Sequence, residues 1–164
     1  MDDKKNYNET IKELAKFPVL EGIDHKYLAK MAELSKVRRY DKDQTIIKEG
    51  QTDNWIYFLL DGKVQVLKNN EEIATFTHQG DLFGEMRVMD GTHRSATIIA
   101  MSDTTCLAVD ASLIDKMTGN DKVAFGGIMY KVFALLLAHR LRQSDAELVR
   151  LKAENAELKI SASN

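Results

Sequence analysis

The chain has one cysteine, Cys106, and one proline, Pro18. A lone cysteine excludes an internal disulfide, and with it the small stapled domains of secreted proteins. It suits a reducing cytoplasm, the expected location. Cys106 stands in an apolar run and is expected as a buried small hydrophobe rather than a nucleophile. Charge of one sign is also missing. Lys and Arg total 23 against 25 Asp and Glu, a formal net charge of −2. That balance gives no overall electrostatic reason to bind nucleic acid. The N-terminus, Met1-Asp-Asp-Lys-Lys-Asn6, lacks the apolar centre of a signal peptide. The longest apolar run, Val132 to Ala138, is far below membrane-spanning length. No membrane partner is therefore expected. Histidines number four and form no His-x-His pair. A metal-dependent enzyme built on a β-roll needs several converging imidazoles. His78 and His93 are the only two expected near one another, so this reading is a weak alternative.

What is present is an ordinary globular composition, 44% hydrophobic and 29% charged over 164 residues. That is enough for one domain with a real core. Three segments follow from periodicity. Residues 1–34 are N-terminal helices: a polar start, a helix over 8–16, a turn at Phe17-Pro18, and a second helix capped by Asp24. Residues 35–110 change to a period of two, in about eight short runs separated by turns such as Asp61-Gly62 and Asn69-Asn70. The pattern predicts a mainly β fold with flanking helices, a jelly roll or β-roll. Residues 111–164 are C-terminal helices: a short one after Asp110, then a long one from about Lys122 to Ile160. Gly126-Gly127 is its weak point, either a hinge between two helices or a place of close packing on the roll.

The chemistry concentrates in residues 80–97. Gly84 permits close backbone approach or a positive φ. Glu85 to Met89 is one helical turn, whose first amides lack intrahelical acceptors. Arg94 arrives nine positions after Glu85, ahead of the β-rich Ser95-Ala96-Thr97. One carboxylate, one guanidinium and free amides around a short loop suit a ligand that carries a phosphate beside a hydroxyl.

Phe83-Gly84-Glu85-Met86-Arg87-Val88-Met89 followed by Arg94-Ser95-Ala96-Thr97 closely resembles the phosphate-binding cassette of the cyclic-nucleotide-binding domain family. The helix pair before the roll and the loops ending at Gly50 and Gly62 are similar too. The resemblance implies that Glu85 holds a ribose 2′-hydroxyl and Arg94 a cyclic phosphate. Gly84, Glu85 and Met86 would lend amides, and Ser95 would touch phosphate or base. Phe83 and Ala96 complete the binding set. Arg87 departs from the pattern, because the family usually has Ala there. A backbone amide does not depend on its side chain, but the bulk and charge bear on affinity. The ligand implied is cyclic AMP, with cyclic GMP allowed.

The tail reads as a parallel coiled coil. Positions a are Leu141, Leu148 and Asn155; positions d are Leu137, Ser144, Leu151 and Leu158. Glu147 and Glu154 at g each have a lysine five residues on, Lys152 and Lys159, the spacing of interhelical pairs. A homodimer through the C-terminal helix is expected. Ser144 interrupts the leucines at d, and Asp145 follows. In bacterial members of the family, polar residues of the matching stretch contact the base, some from the partner subunit. Ser144 and Asp145 are the corresponding candidates; Asp145 reads equally as a solvated flank. No helix-turn-helix or other DNA-binding segment is expected. The expectation is a non-enzymatic sensor with a possible protein partner downstream. The rival is a degenerate roll used only for dimerisation or docking, and Arg87 is its best support.

Overall fold

The computed structural model describes residues 2–161. Helix α1 spans Asp2–Leu14 and α2 His25–Glu33. α1 therefore begins six residues before the expected Asn8, within a segment whose polarity reads as a loose end. Its anchors are further along: Ile11 and Leu14 are buried, and the Tyr7 hydroxyl donates to the Ala29 carbonyl at 3.2 Å. Between the helices Pro18–Leu20 forms a single 3-10 turn, with Phe17 extended at ψ 124° as a residue before proline should be. Asp24 caps α2 as expected, accepting from the Lys26 amide at 3.1 Å.

Eight strands follow: β1 Ser35–Tyr40, β2 Thr45–Ile47, β3 Trp55–Asp61, β4 Val64–Lys68, β5 Glu71–Phe76, β6 Leu82–Phe83, β7 Thr97–Ala100 and β8 Thr104–Asp110. They form two antiparallel four-stranded sheets, in orders β1-β8-β3-β6 and β2-β7-β4-β5. Two consecutive alternations divide the core. Along β3, Tyr57 and Leu59 point between the sheets, while Ile56 and Phe58 point to the helices. Along β8, Cys106 and Ala108 face inward, and Leu107 and Val109 face the helices. Both central strands are thus buried on both faces, which accounts for their continuous apolar character. Cys106 is fully buried, and burial pushes its thiol up to about 12, so it is inert at neutral pH.

Helix α3, Glu85–Asp90, links β6 to β7. After β8 come α4, Ser112–Asp115, and α5, Gly119–Ser161. Asp110 accepts from the Ser112 amide at 3.0 Å, but it stands one residue ahead of the expected position: the N-cap of α4 is Ala111, whose side chain makes no capping bond. α5 is one helix of 43 residues with no break at Gly126-Gly127. Neither glycine is required by packing, since a Cβ at either would meet nothing within 4 Å. Both expectations for this pair, a hinge and a close contact with the roll, fail in this structure. Phe125, Met129, Val132 and Phe133 of α5 are buried against α1, α2 and the outer face of β3 and β8. One 18-residue window of α5 is apolar and long enough to cross a membrane, although no unbroken apolar run in it exceeds Val132 to Ala138. In this fold four of its bulky apolar side chains serve the core instead.

Candidate functional site

Gly84 sits at φ 86°, a left-handed conformation that turns β6 into α3. A Cβ there would stand 3.0 Å from Arg94 Nη1 and 3.0 Å from the Trp55 carbonyl oxygen. The glycine therefore makes room for the guanidinium as well as for the turn. Phe83 is buried in a stack with Tyr57 on one side and Phe76 on the other, at centroid separations of 5.3 and 6.0 Å. This stack is the wall against which the cassette is held.

Arg94 is 4% exposed. Its Nη1 donates to the Gly84 carbonyl at 2.6 Å, and Nη2 donates to the Trp55 carbonyl at 2.6 Å and to Asp53 Oδ1 at 2.5 Å. Nε donates to Asp53 Oδ2 at 3.3 Å. A guanidinium has five N–H donors, so these four bonds leave one Nη1 hydrogen for a further acceptor. Two main-chain bonds fix the same residue to the loop between β2 and β3: Arg94 N to Gln51 O at 2.8 Å, and Gly50 N to Arg94 O at 2.9 Å. Burial alone would push the Asp53 carboxyl up; the hydrogen bonds and charge of Arg94 overcome it and leave it below its ordinary value.

Glu85 is 1% exposed, and burial pushes its carboxyl up, with the Arg140 charge opposing. Its Oε1 accepts from Arg140 Nη1 of α5 at 2.7 Å. Arg140 also donates to the Leu82 carbonyl, and its guanidinium lies 4.6 Å over the Phe76 ring. One oxygen of the carboxylate expected to receive a sugar hydroxyl is thus engaged by the long helix.

Arg87 turns its guanidinium to the loop. Nε donates to the Asp53 carbonyl at 3.0 Å, and Nη1 to the carbonyls of Gly91 and Thr92. The side chain that breaks the family pattern ties the cassette turn to the Asp53 loop. Met86 is 47% exposed, with its sulfur 3.7 Å from Ser95 Oγ. The Ser95 carbonyl accepts from Lys68 Nζ at 2.7 Å.

These residues share one cavity of about 1090 Å³ between the cassette, β5 and α5. It is slightly larger than the usual range of about 300–1,000 Å³ for small-molecule sites. Phe83, Gly84, Glu85, Met86, Arg87, Arg94, Ser95 and Ala96 all line it. Ser144 lines it from α5; Asp145 is exposed and outside the lining. The structure therefore separates the two base-recognition candidates. His78 is at the mouth, 3.7 Å from Asp81, while His93 is not part of the lining. Among the described residues no group of three His, Cys, Asp or Glu side chains is placed to hold a metal ion.

Sequence reasoning missed Asp53, Arg140 and Phe76. Asp53 sits in Gln51-Thr-Asp53, which reads only as a turn. Arg140 lies four residues before Ser144, in the polar stretch Ala138 to Asp145, and is masked there by its polar neighbours; its heptad position was the available signal. Phe76 shows in sequence only as the end of a strand.

Comparison with known proteins agrees with this geometry. The profile of the cyclic nucleotide-binding domain matches residues 37–121, just over half of the chain. A cGMP-dependent protein kinase of Plasmodium berghei is 28% identical over 141 residues, 86% of this chain and 16% of the kinase. The cAMP-dependent protein kinase regulatory subunit of Schizosaccharomyces pombe is 27% identical over 107 residues, 65% of this chain and 26% of the subunit. The chain thus spans only a minor part of either relative. A solved structure of PKAR CBD2 bound to Sp-2Cl-cAMPS superimposes with a TM-score of 0.69 at 25% identity, covering 84% of this chain and 88% of the other. With the two-sheet roll, the cassette and its buried Glu85 and Arg94, this chain belongs to the cyclic nucleotide-binding domain family.

Proposed function

We propose that this chain is a non-enzymatic, cytoplasmic sensor that binds a cyclic mononucleotide, cyclic AMP in the first place, and works as a homodimer joined through α5. The observation that carries the reading is the pairing in one cavity of a buried guanidinium with a donor to spare and a buried carboxylate at the family spacing. Arg94 supplies charge and a hydrogen bond to the cyclic phosphate. Glu85 accepts from the sugar hydroxyl, a contact of full strength because the carboxylate is shielded from water. Ser144 supports base contact from its place on the cavity wall. Cyclic GMP is the competing ligand, since the Plasmodium relative is a cGMP-dependent kinase. The homodimer is supported by Leu141, Leu148, Leu151 and Leu158, which are 48–70% exposed in a single heptad register.

Isothermal titration of ligand-stripped protein with cyclic AMP, cyclic GMP and linear AMP tests the reading. Saturable binding of one cyclic nucleotide at micromolar or lower concentration is expected, with none of linear AMP. Arg94→Leu should abolish it without changing the sedimentation of the dimer. Absence of heat and of thermal stabilisation with both cyclic nucleotides would leave the chain as a dimerisation or docking roll.

A further inference from the structure

Two arginines of the cassette share one aspartate. Arg94 takes the Asp53 carboxylate through Nε and Nη2. Arg87 takes the Asp53 main-chain carbonyl through Nε, at 3.0 Å. The same guanidinium reaches the carbonyls of Gly91, at 3.1 Å, and Thr92 through Nη1. Gly91 returns the bond, since its amide donates to the Arg87 carbonyl at 2.8 Å. Arg87 therefore fastens both segments on which Arg94 depends: the turn that leads into it and the loop that carries its counter-charge.

Neither segment is held by regular structure. Residues 51–54 and 91–95 belong to no helix or strand, and Gln51, Thr52, Gly91, Thr92 and His93 are exposed. The main-chain bonds of Arg94 with Gln51 and Gly50 join the segments at one place. Arg87 supplies a second place, at Asp53. A loop tied at one place can still rotate; tied at two, it fixes the direction of the Asp53 carboxylate. That carboxylate grips two nitrogens of Arg94 and so sets the plane of its guanidinium. The plane aims the remaining Nη1 hydrogen. A donor aimed in advance loses less freedom when a ligand arrives, which raises affinity without a new contact. Arg87 lines the cavity and is half-buried, but its Nε and Nη1 are both engaged by loop carbonyls, so the charged end does not fill the site.

We propose that Arg87 is a positioning residue for the phosphate subsite: it braces the Asp53 loop against the cassette turn, and its departure from the usual Ala raises nucleotide affinity. The inference rests on the sensor reading above and adds a residue to it. Ala has no side chain to span the two segments. Lys carries the same charge, but its ammonium is one point on a flexible stem. The guanidinium presents separate nitrogens in a rigid fork, one to each segment. The brace is therefore specific for Arg, and the residue that counts as the best support for a degenerate roll becomes part of a working site.

The test uses wild type, Arg87→Ala and Arg87→Lys. Isothermal titration with cyclic AMP and cyclic GMP measures affinity. Heteronuclear NMR of the ligand-free proteins follows the Arg94 Nε–H signal, identified by its absence in Arg94→Leu. The carbonyls that Arg87 leaves lie on exposed loops and can turn to water, so both variants should fold. Arg87→Ala should bind the preferred nucleotide about five- to thirtyfold more weakly, the scale of a partner within one hydrogen-bond network. Arg87→Lys should stay within about twofold of Arg87→Ala. The Arg94 Nε–H should exchange with water faster in both variants than in wild type. The proposal is overturned if Arg87→Ala binds as tightly as wild type or more tightly, which makes Arg87 a bystander or an obstruction. It is overturned if Arg87→Lys restores wild-type affinity, which reduces the role to charge. It is overturned as well if affinity falls while the Arg94 signal stays unchanged, because Arg87 then acts on the ligand and not through Asp53. A wild type that binds neither nucleotide overturns the sensor reading together with this one, and that outcome shows in the wild-type titration alone.

Discussion

At Asp53 two effects oppose one another, and the outcome sets a pH dependence. Burial raises the carboxyl; Arg94 lowers it further than burial lifts it. The folded-state value is therefore below the ordinary 3.8. The stability that Asp53 contributes is fully present above the unfolded value and is lost as pH falls through the folded one. Glu85 runs the other way. Its carboxyl is raised, so the folded chain binds that proton more readily, and its contribution to stability falls as pH rises through the raised value. The two partly cancel in a raw acid titration, and a variant isolates one of them. Asp53→Asn should cost about 1–3 kcal/mol at neutral pH by leaving Arg94 without its charged acceptor. It should also flatten the loss of stability in acid below about pH 4, where protonation of Asp53 is the cause. Urea unfolding of both proteins from pH 3 to 7 checks this. Parallel curves at every pH would mean that Arg94 is held by the carbonyls of Gly84 and Trp55 alone.

At the scale of elements, the sequence was informative wherever one local force dominates. Period-two alternation marks β4, which is wet on one face, and short continuous apolar runs mark β3 and β8, which are buried on both. The cap at Asp24 shows because a short polar side chain at a helix start has one local use, whereas Asp110 falls one residue ahead of the N-cap of α4, Ala111. β6 did not show: Leu82–Phe83 is two residues, and its pairing to Tyr57 and Phe58 is a long-range fact. The early start of α1 did not show either, since its helical state is supported by Ile11 and Leu14 in the core rather than by its first residues. Gly126-Gly127 misled for a related reason. Glycine lowers helix propensity by about 1 kcal/mol per residue, and the burial of Phe125, Met129, Val132 and Phe133 outweighs that cost. The pair is then a pure propensity penalty, which a Cβ relieves. Gly126→Ala should raise the melting temperature by about 2–4 °C, since the new methyl meets nothing. Nucleotide affinity should not change. A loss of affinity together with the gain in stability would show that α5 must bend at this point to admit the ligand.

At the scale of the molecule, α5 divides the chain into a part that folds on its own contacts and a part that does not. Up to Arg140 the helix is fastened to the roll; from Leu141 to Ile160 every residue is exposed. Twenty residues of unsupported helix, about 30 Å long, are marginal in water without a partner, because propagation barely offsets the cost of ordering the chain. The exposed leucines of the seam lie outside both core clusters. The cassette was legible because its residues are contiguous and its glycine, carboxylate and arginine have fixed spacing. The Glu85–Arg140 ion pair was not, because it joins residues fifty-five apart in the chain. Leu148→Asn combined with Leu151→Asn separates the two parts. The pair should give a monomer in sedimentation and a loss of far-ultraviolet helix signal of about twenty residues. The unfolding midpoint of the roll, followed by Trp55 fluorescence, should stay within about 2 °C of wild type in protein diluted to the monomer. A dimer that survives both substitutions would place the interface on the roll or on the first half of α5. A roll destabilised by several kcal/mol would mean that these two side chains fold back onto β5 and close the cavity from within the same chain.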